Sequence, residues 1–166
     1  EEETLRYLAF LRRKPPLILD TVSTKKAAKV KDFIGRFHTI KPNRMEAEIL
    51  SGISIYSKDD MKRAGDYFLN KGVKKVFISL GSDGVFYMTE NEAETIKIPR
   101  INPASSTGAG DAFVAGIAYG EYYDHDIRTA TKFGLGAAIL TSLSDKTVSD
   151  QMNIKNVENI IKEMEI

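Results

Sequence analysis

Cysteine is absent from this 166-residue chain. That excludes disulfides, thiolate nucleophiles and Cys-ligated zinc or iron–sulfur sites, and it suits a reducing, cytoplasmic compartment. Histidine is limited to His38 and His125, too few for most imidazole-built metal sites. A dominant sign of charge is missing too, because 24 Lys and Arg stand against 23 Asp and Glu, a formal net charge of +1. No whole-molecule field draws the chain to nucleic acid or to an acidic membrane, so neither is expected as a partner and function must be local. No apolar run approaches the ~20 residues of a membrane-spanning helix. The opening EEETLRY is acidic where a signal peptide would be basic. The chain starts at Glu1 rather than Met, and a fragment is the expectation. Neither G-x-x-x-x-G-K-[ST] nor a protein-kinase motif set occurs, so any phosphoryl-transfer site must be built another way.

The residues that are present suffice for one core, with 42% apolar content. Apolar spacing alternates between helical and extended segments, without repeats or a low-complexity linker. Thr4 to Arg13 predicts a helix closed by Arg12 and Arg13 and stopped by Pro15 and Pro16, and LILD (17–20) a short buried strand. A helix is predicted from Thr24 to Phe37, then a strand in HTIKPN, then helices over Arg44 to Leu50 and Lys58 to Asn70. KKVFISLG is the strongest strand, GSDG (81–84) a turn, VFYMTE a strand pairing back as a hairpin, and ETIKIPR a third extended piece. Three helices follow, Ala109 to Tyr123, Asp126 to Leu143 and Ile154 to Met164. Strands separated by helices imply an α/β fold, a mostly parallel sheet flanked by helices. Ligands in such sheets bind where strand carboxyl ends lead into helices, and Asp20, Asn43, Gly81 and the Gly108 loop sit in such places.

The segment NPASSTGAGDAF (102–113) sets three small residues, Gly108, Ala109 and Gly110, before Asp111 at the start of an apolar helical run. A helix N-terminus offers unpaired N–H groups and the positive end of the helix dipole, and small residues let an anion come close. Asp111 would repel a phosphate unless it had its own task, such as accepting the proton of an attacking hydroxyl. The plainer alternative is Ser106 or Thr107 as N-cap, with Asp111 as a first-turn acid. KPNRMEAE places Asn43 and Glu46 three residues apart. They suit hydrated magnesium or phosphate oxygens, or else a capping box. SLGSDG is a loop for close backbone approach of a nucleotide, or a hairpin turn. His38 reads as a packing or surface residue, and Lys25, Lys26, Lys29 and Lys31 as a solvated helix face.

Together these motifs resemble a known family. STGAGDAFVAG (106–116) is similar to the C-terminal signature of the ribokinase-like (PfkB) carbohydrate and nucleoside kinases, and KPNRMEAE to that family's Asn-x-x-Glu motif. SLGSDG lies between them, in the order the family follows. The resemblance covers essentially the whole chain but only the C-terminal half of a family member. It implies residues 1–166 as the nucleotide-binding and catalytic portion of a ribokinase-like domain, without the N-terminal substrate and lid part. DTVSTKKAAKVK and HTIKPNRMEAEILSG are most similar to the pseudouridine kinases, which phosphorylate a ribose 5'-hydroxyl.

Carried over, the resemblance makes Asp111 the general base and Gly108, Ala109 and Gly110 the anion hole. Asn43 and Glu46 would organise magnesium and the triphosphate of ATP. Ser79, Gly81, Ser82 and Gly84 would line the nucleotide, and Gly136 and Ala137 would contact adenine, since Leu135 stands where some relatives carry an adenine-contacting Asn. Ser105 stands where sugar kinases often carry an Asp that supports a potassium site. The partner implied is a small sugar or nucleoside. A kinase for ribose or fructose and a non-catalytic nucleotide-binding fragment are the alternatives. Without the N-terminal half the site is incomplete and a sheet edge is exposed, so the isolated chain is expected to be weakly active or inactive, with homodimer formation through that edge open to it.

Overall fold

The structure, a computed structural model, describes residues 2–166. The short apolar runs become β1 (Ile18–Asp20), β2 (Thr39–Lys41), β3 (Lys75–Ser79), β4 (Val85–Met88) and β5 (Ala93–Ile96). They form one five-stranded sheet in the order β1-β2-β3-β4-β5. β1 and β2 are parallel with Asp20 opposite Lys41, and β2 and β3 are parallel with Thr39 opposite Lys75. Each parallel crossover carries helix, as such connections require. The links 80–84 and 89–92 are too short for a crossover, so β3, β4 and β5 meander as antiparallel neighbours. The chain therefore adopts the α/β sheet with a hairpin that its apolar spacing predicts.

The helices are α1 (Glu2–Ala9), α2 (Thr24–Val30), α3 (Arg44–Ser51), α4 (Lys58–Lys71), α5 (Ala109–Tyr122), α6 (Ile127–Ser142) and α7 (Ile154–Glu163). Side chains of Ser23, Asn43, Ser57, Asp126 and Asn153 cap α2, α3, α4, α6 and α7. Two predicted helices are shorter than their apolar spacing suggests. α1 stops at Ala9 rather than Arg13, because Lys14 Nζ donates to Ala9 O at 2.6 Å and to Arg36 O at 2.5 Å. The helix predicted to Phe37 ends at Val30, and 31–36 tightens into a 3-10 helix with Phe33 out of helical geometry (φ −128°, ψ 20°). Tertiary packing dictates that change. Phe33 sits between Phe10 and Phe37, and a Cβ on Gly35 would lie 1.7 Å from Lys71 O.

The chain divides into two compact units, one running to Gly81 and including Phe86–Glu94, the other comprising Ser82–Val85 and Thr95–Ile166. In the first, α3 and α4 pack on β3, and Ile40, Leu50, Phe68, Val76, Ile78 and Phe86 are buried together. In the second, α5 packs on α6 and α6 on α7, with Phe133, Ala137 and Val157 at the centre of a separate cluster. Each unit thus has a buried apolar cluster of its own among the described residues. Among the described residues, no helix is long and apolar enough to cross a membrane.

Candidate active site

In the first unit the carboxyl ends of the three parallel strands carry the polar residues. Asn43 forms an isolated parallel bridge with Ser79, whose N–H donates to Pro42 O at 3.0 Å. Asn43, Glu46 and Ser79 are thus brought together. Asn43 is the N-cap of α3, and its Oδ1 accepts the Glu46 N–H at 2.9 Å while Glu46 Oε2 accepts the Asn43 N–H at 2.9 Å. The capping box is therefore real. It does not account for Glu46 fully, because that residue is only 3% exposed, and no ion pair to it occurs among the described residues. A buried carboxylate without a cation is costly, and its oxygen donors suit a hard divalent ion that keeps most of its water.

Two neighbours were not singled out by the sequence. Thr21, 2% exposed, donates its hydroxyl to Glu46 Oε2 at 2.5 Å. Lys41 Nζ sits 3.2 Å from Asp20 Oδ1 and 3.3 Å from Oδ2, with side chains 9% and 20% exposed. The parallel register of β1 and β2 makes that pair. Its signal in the sequence was a charged residue at the end of each of two short apolar runs, legible only once those strands are known to be adjacent. Beyond Asp20 the chain turns tightly, with Val22 N–H donating to Asp20 Oδ1 at 3.2 Å and Val22 at φ 59°. A β-branched residue is strained there, at about 1–3 kcal/mol. His38 Nδ1 lies 2.9 Å from Thr39 Oγ1, and Lys25, Lys26, Lys29 and Lys31 are exposed along α2 and just beyond it.

The predicted nucleotide loop is a 3-10 turn over Gly81–Asp83. Gly81 (φ 63°) is exposed with open space where a side chain would go, and Ser82 is exposed as well. Gly84 is different, since a Cβ there would lie 2.0 Å from Ile96 O. Its glycine serves the close approach to β5 within the second unit.

In the second unit, α5 begins without a side-chain cap. Neither Ser106 nor Thr107 caps it: the N-cap is Gly108, in the left-handed region at φ 84°, where a Cβ would lie 2.3 Å from Thr147 O. Ser105 Oγ accepts the Thr107 N–H at 3.1 Å. The first helical bond runs from Ala112 N–H to Gly108 O at 2.9 Å, and the N–H groups of Gly110 and Asp111 have no acceptor among the described residues. Asp111 is exposed, as is Gly110, while Gly108 and Ala109 are half-buried. The side chain of Asp111 makes no hydrogen bond or ion pair among the described residues. This end of α5 can accept an anion on its amides and a proton on its carboxylate. Gly136 and Ala137 are buried instead, with a Cβ on Gly136 reaching Ile161 Cγ1 and Val157 Cγ1 at 3.0 Å. The approach of α7 accounts for the smallness of Gly136, and Ala137 is 4% exposed.

The description "pfkB family carbohydrate kinase" matches residues 2–152. The chain belongs to that family. Among curated family relatives, pseudouridine kinase of Escherichia coli (strain K12) is 31% identical over 165 residues, covering 99% of this chain and 53% of the relative. Ribokinase of Staphylococcus aureus (strain COL) is 37% identical over 103 residues, covering 61% of this chain and 34% of the relative. A crystal structure from Clostridium perfringens of a protein assigned as a sugar kinase superposes with a TM-score of 0.92 at 40% identity, over 99% of this chain and 52% of that one. Ribokinase from Thermotoga maritima gives 0.82 at 25% identity, over 96% and 53%. The chain thus spans about half the length of the pseudouridine kinase and of the Clostridium perfringens protein.

Proposed function

We propose that the protein carries out ATP-dependent phosphorylation of a sugar or nucleoside hydroxyl, with the 5'-hydroxyl of pseudouridine as the best-supported acceptor. One observation carries the reaction class: α5 starts with free amides and no side-chain cap, and an exposed carboxylate stands in its first turn. The amides of Gly110 and Asp111 donate to the oxygens of the transferring phosphoryl group, where the helix dipole adds its positive end. Gly108 and Ala109 keep that approach free of bulk. Asp111 accepts the proton of the acceptor hydroxyl as its oxygen bonds to phosphorus and the bond from phosphorus to the nucleoside diphosphate breaks. Asn43 and Glu46 are the residues suited to magnesium, by their oxygen donors and by the burial of Glu46 without a cationic partner among the described residues. Bound there through water, magnesium would neutralise charge on the phosphate oxygens. Gly81 and Ser82, exposed at the turn after β3, are suited to backbone contact with a nucleotide.

The choice of pseudouridine rests on the match to the Escherichia coli pseudouridine kinase, which spans nearly this entire chain. Ribose and fructose 1-phosphate chemistry are the rivals, through ribokinase and 1-phosphofructokinase relatives. The test is phosphoryl transfer by the whole protein from ATP to pseudouridine, uridine, ribose and fructose 1-phosphate. Preference for pseudouridine by kcat/KM supports the assignment. Preference for another acceptor replaces the substrate and keeps the reaction, and no transfer to any of them removes both.

A further inference from the structure

Glu46 is held from two sides, and only one of them belongs to the helix it starts. The capping box fixes Glu46 to the Asn43 N–H. The second bond comes from Thr21, just past the end of β1, and lands on the same oxygen, Oε2. A capping box does not need such a brace. In α4, Asp60 closes the equivalent box with Ser57, with no hydrogen bond from another strand or helix among the described residues; its remaining partners are Tyr56 N–H and Arg63. Thr21 is 2% exposed, so a valine would fill its place equally well, and its hydroxyl has only one proton to give. That proton goes to Glu46. With both donors on Oε2, the other oxygen keeps its lone pairs, and the carboxylate has one orientation rather than several.

We infer that Thr21 is a positioning residue for magnesium binding, orienting the Glu46 carboxylate so that Oε1 faces the ion's water shell. This rests on the magnesium role proposed for Glu46. Residues that orient a metal-binding carboxylate are typically worth 10–100-fold in metal affinity when removed. The brace also explains why a polar residue sits buried where β1 hands over to the strained turn at Val22.

The test uses the whole protein with ATP present. Magnesium affinity is measured by calorimetric titration, and the thermal midpoint is followed with magnesium and with EDTA. Thr21→Val is expected to weaken magnesium binding roughly 10–100-fold, to leave binding of ATP in EDTA unchanged, and to shrink the magnesium-induced rise in midpoint. Thr21→Ser is expected to recover most of the affinity. A Thr21→Val protein whose midpoint falls equally with magnesium and with EDTA, at unchanged magnesium affinity, would make the hydroxyl merely structural and overturn the inference. Should valine prevent folding, Thr21→Ala in the same titrations is judged by the same criterion. Glu46→Gln separates the two levels. If it binds magnesium as the parent does, the magnesium role itself fails; if it is weakened while Thr21→Val is not, only the positioning role fails.

Discussion

The N-termini of α3 and α5 place an acid at the same position, three residues after the cap, and treat it in opposite ways. Glu46 folds back onto its cap, is braced by Thr21 and is buried. Asp111 has a cap without a side chain, makes no such bond and is exposed. Asp60 in α4 follows the first pattern with Ser57. At α3 and α4 the acid three residues after the cap closes a capping box, whereas at α5 that end is left open. What opens α5 is Gly108, because only glycine takes φ 84° against Thr147 O without strain.

The comparison can be broken in order of effect. Asp111→Asn in the whole protein is expected to lower kcat by ~10²–10⁴-fold, with ATP binding retained in equilibrium titration; near-parental turnover would return Asp111 to an ordinary first-turn acid. Glu46→Ala strands the Thr21 hydroxyl and the Asn43 N–H, so urea unfolding should show a loss of about 2–3 kcal/mol, whereas Asp111→Ala should stay within about 1 kcal/mol. Equal losses would erase the distinction between the two ends. Gly108→Ala should cost at least about 1–3 kcal/mol in the same experiment through its left-handed backbone, with the clash against Thr147 O adding to that. Asn43→Ala should cost about 1 kcal/mol as a lost cap. The smallest effect concerns pH. The Arg63 side chain, with Ser57 and the Tyr56 N–H, lowers the Asp60 pKa to about 2. Its contribution is therefore complete above the ordinary carboxylate range and lost as pH falls toward 2, and carboxyl NMR should place the Asp60 midpoint near there.

Much of the fold was legible because it follows from period and punctuation. KKVFISLG became β3, the run ending at Gly72 became α4, and GAGDAF opened α5. Illegible features were those decided by distant partners. Lys14 ends α1 by reaching Ala9 O and Arg36 O, and Gly35 meets Lys71 O where the α2 helix gives way to a 3-10 segment. At the candidate site the motifs named Asn43, Glu46 and Asp111, yet local spacing could not choose between capping and ligand roles for them. Three-dimensional contacts show which of them cap a helix. Among the described residues, Glu46 caps its helix while buried without a cation, and Asp111 has no capping partner. Thr21 and Lys41 were invisible because their significance lies in strand adjacency. The close approach of α7 to Gly136 was likewise not visible from its place beside Leu135.

The account turns on the open end of α5, and a crystal structure of the whole protein with a non-hydrolysable ATP analogue addresses it directly. The terminal phosphate is predicted to lie within hydrogen-bond distance of the Gly110 and Asp111 amides, with the Asp111 carboxylate left free for an acceptor hydroxyl. A terminal phosphate bound elsewhere, with those amides capped by protein or water, would contradict it.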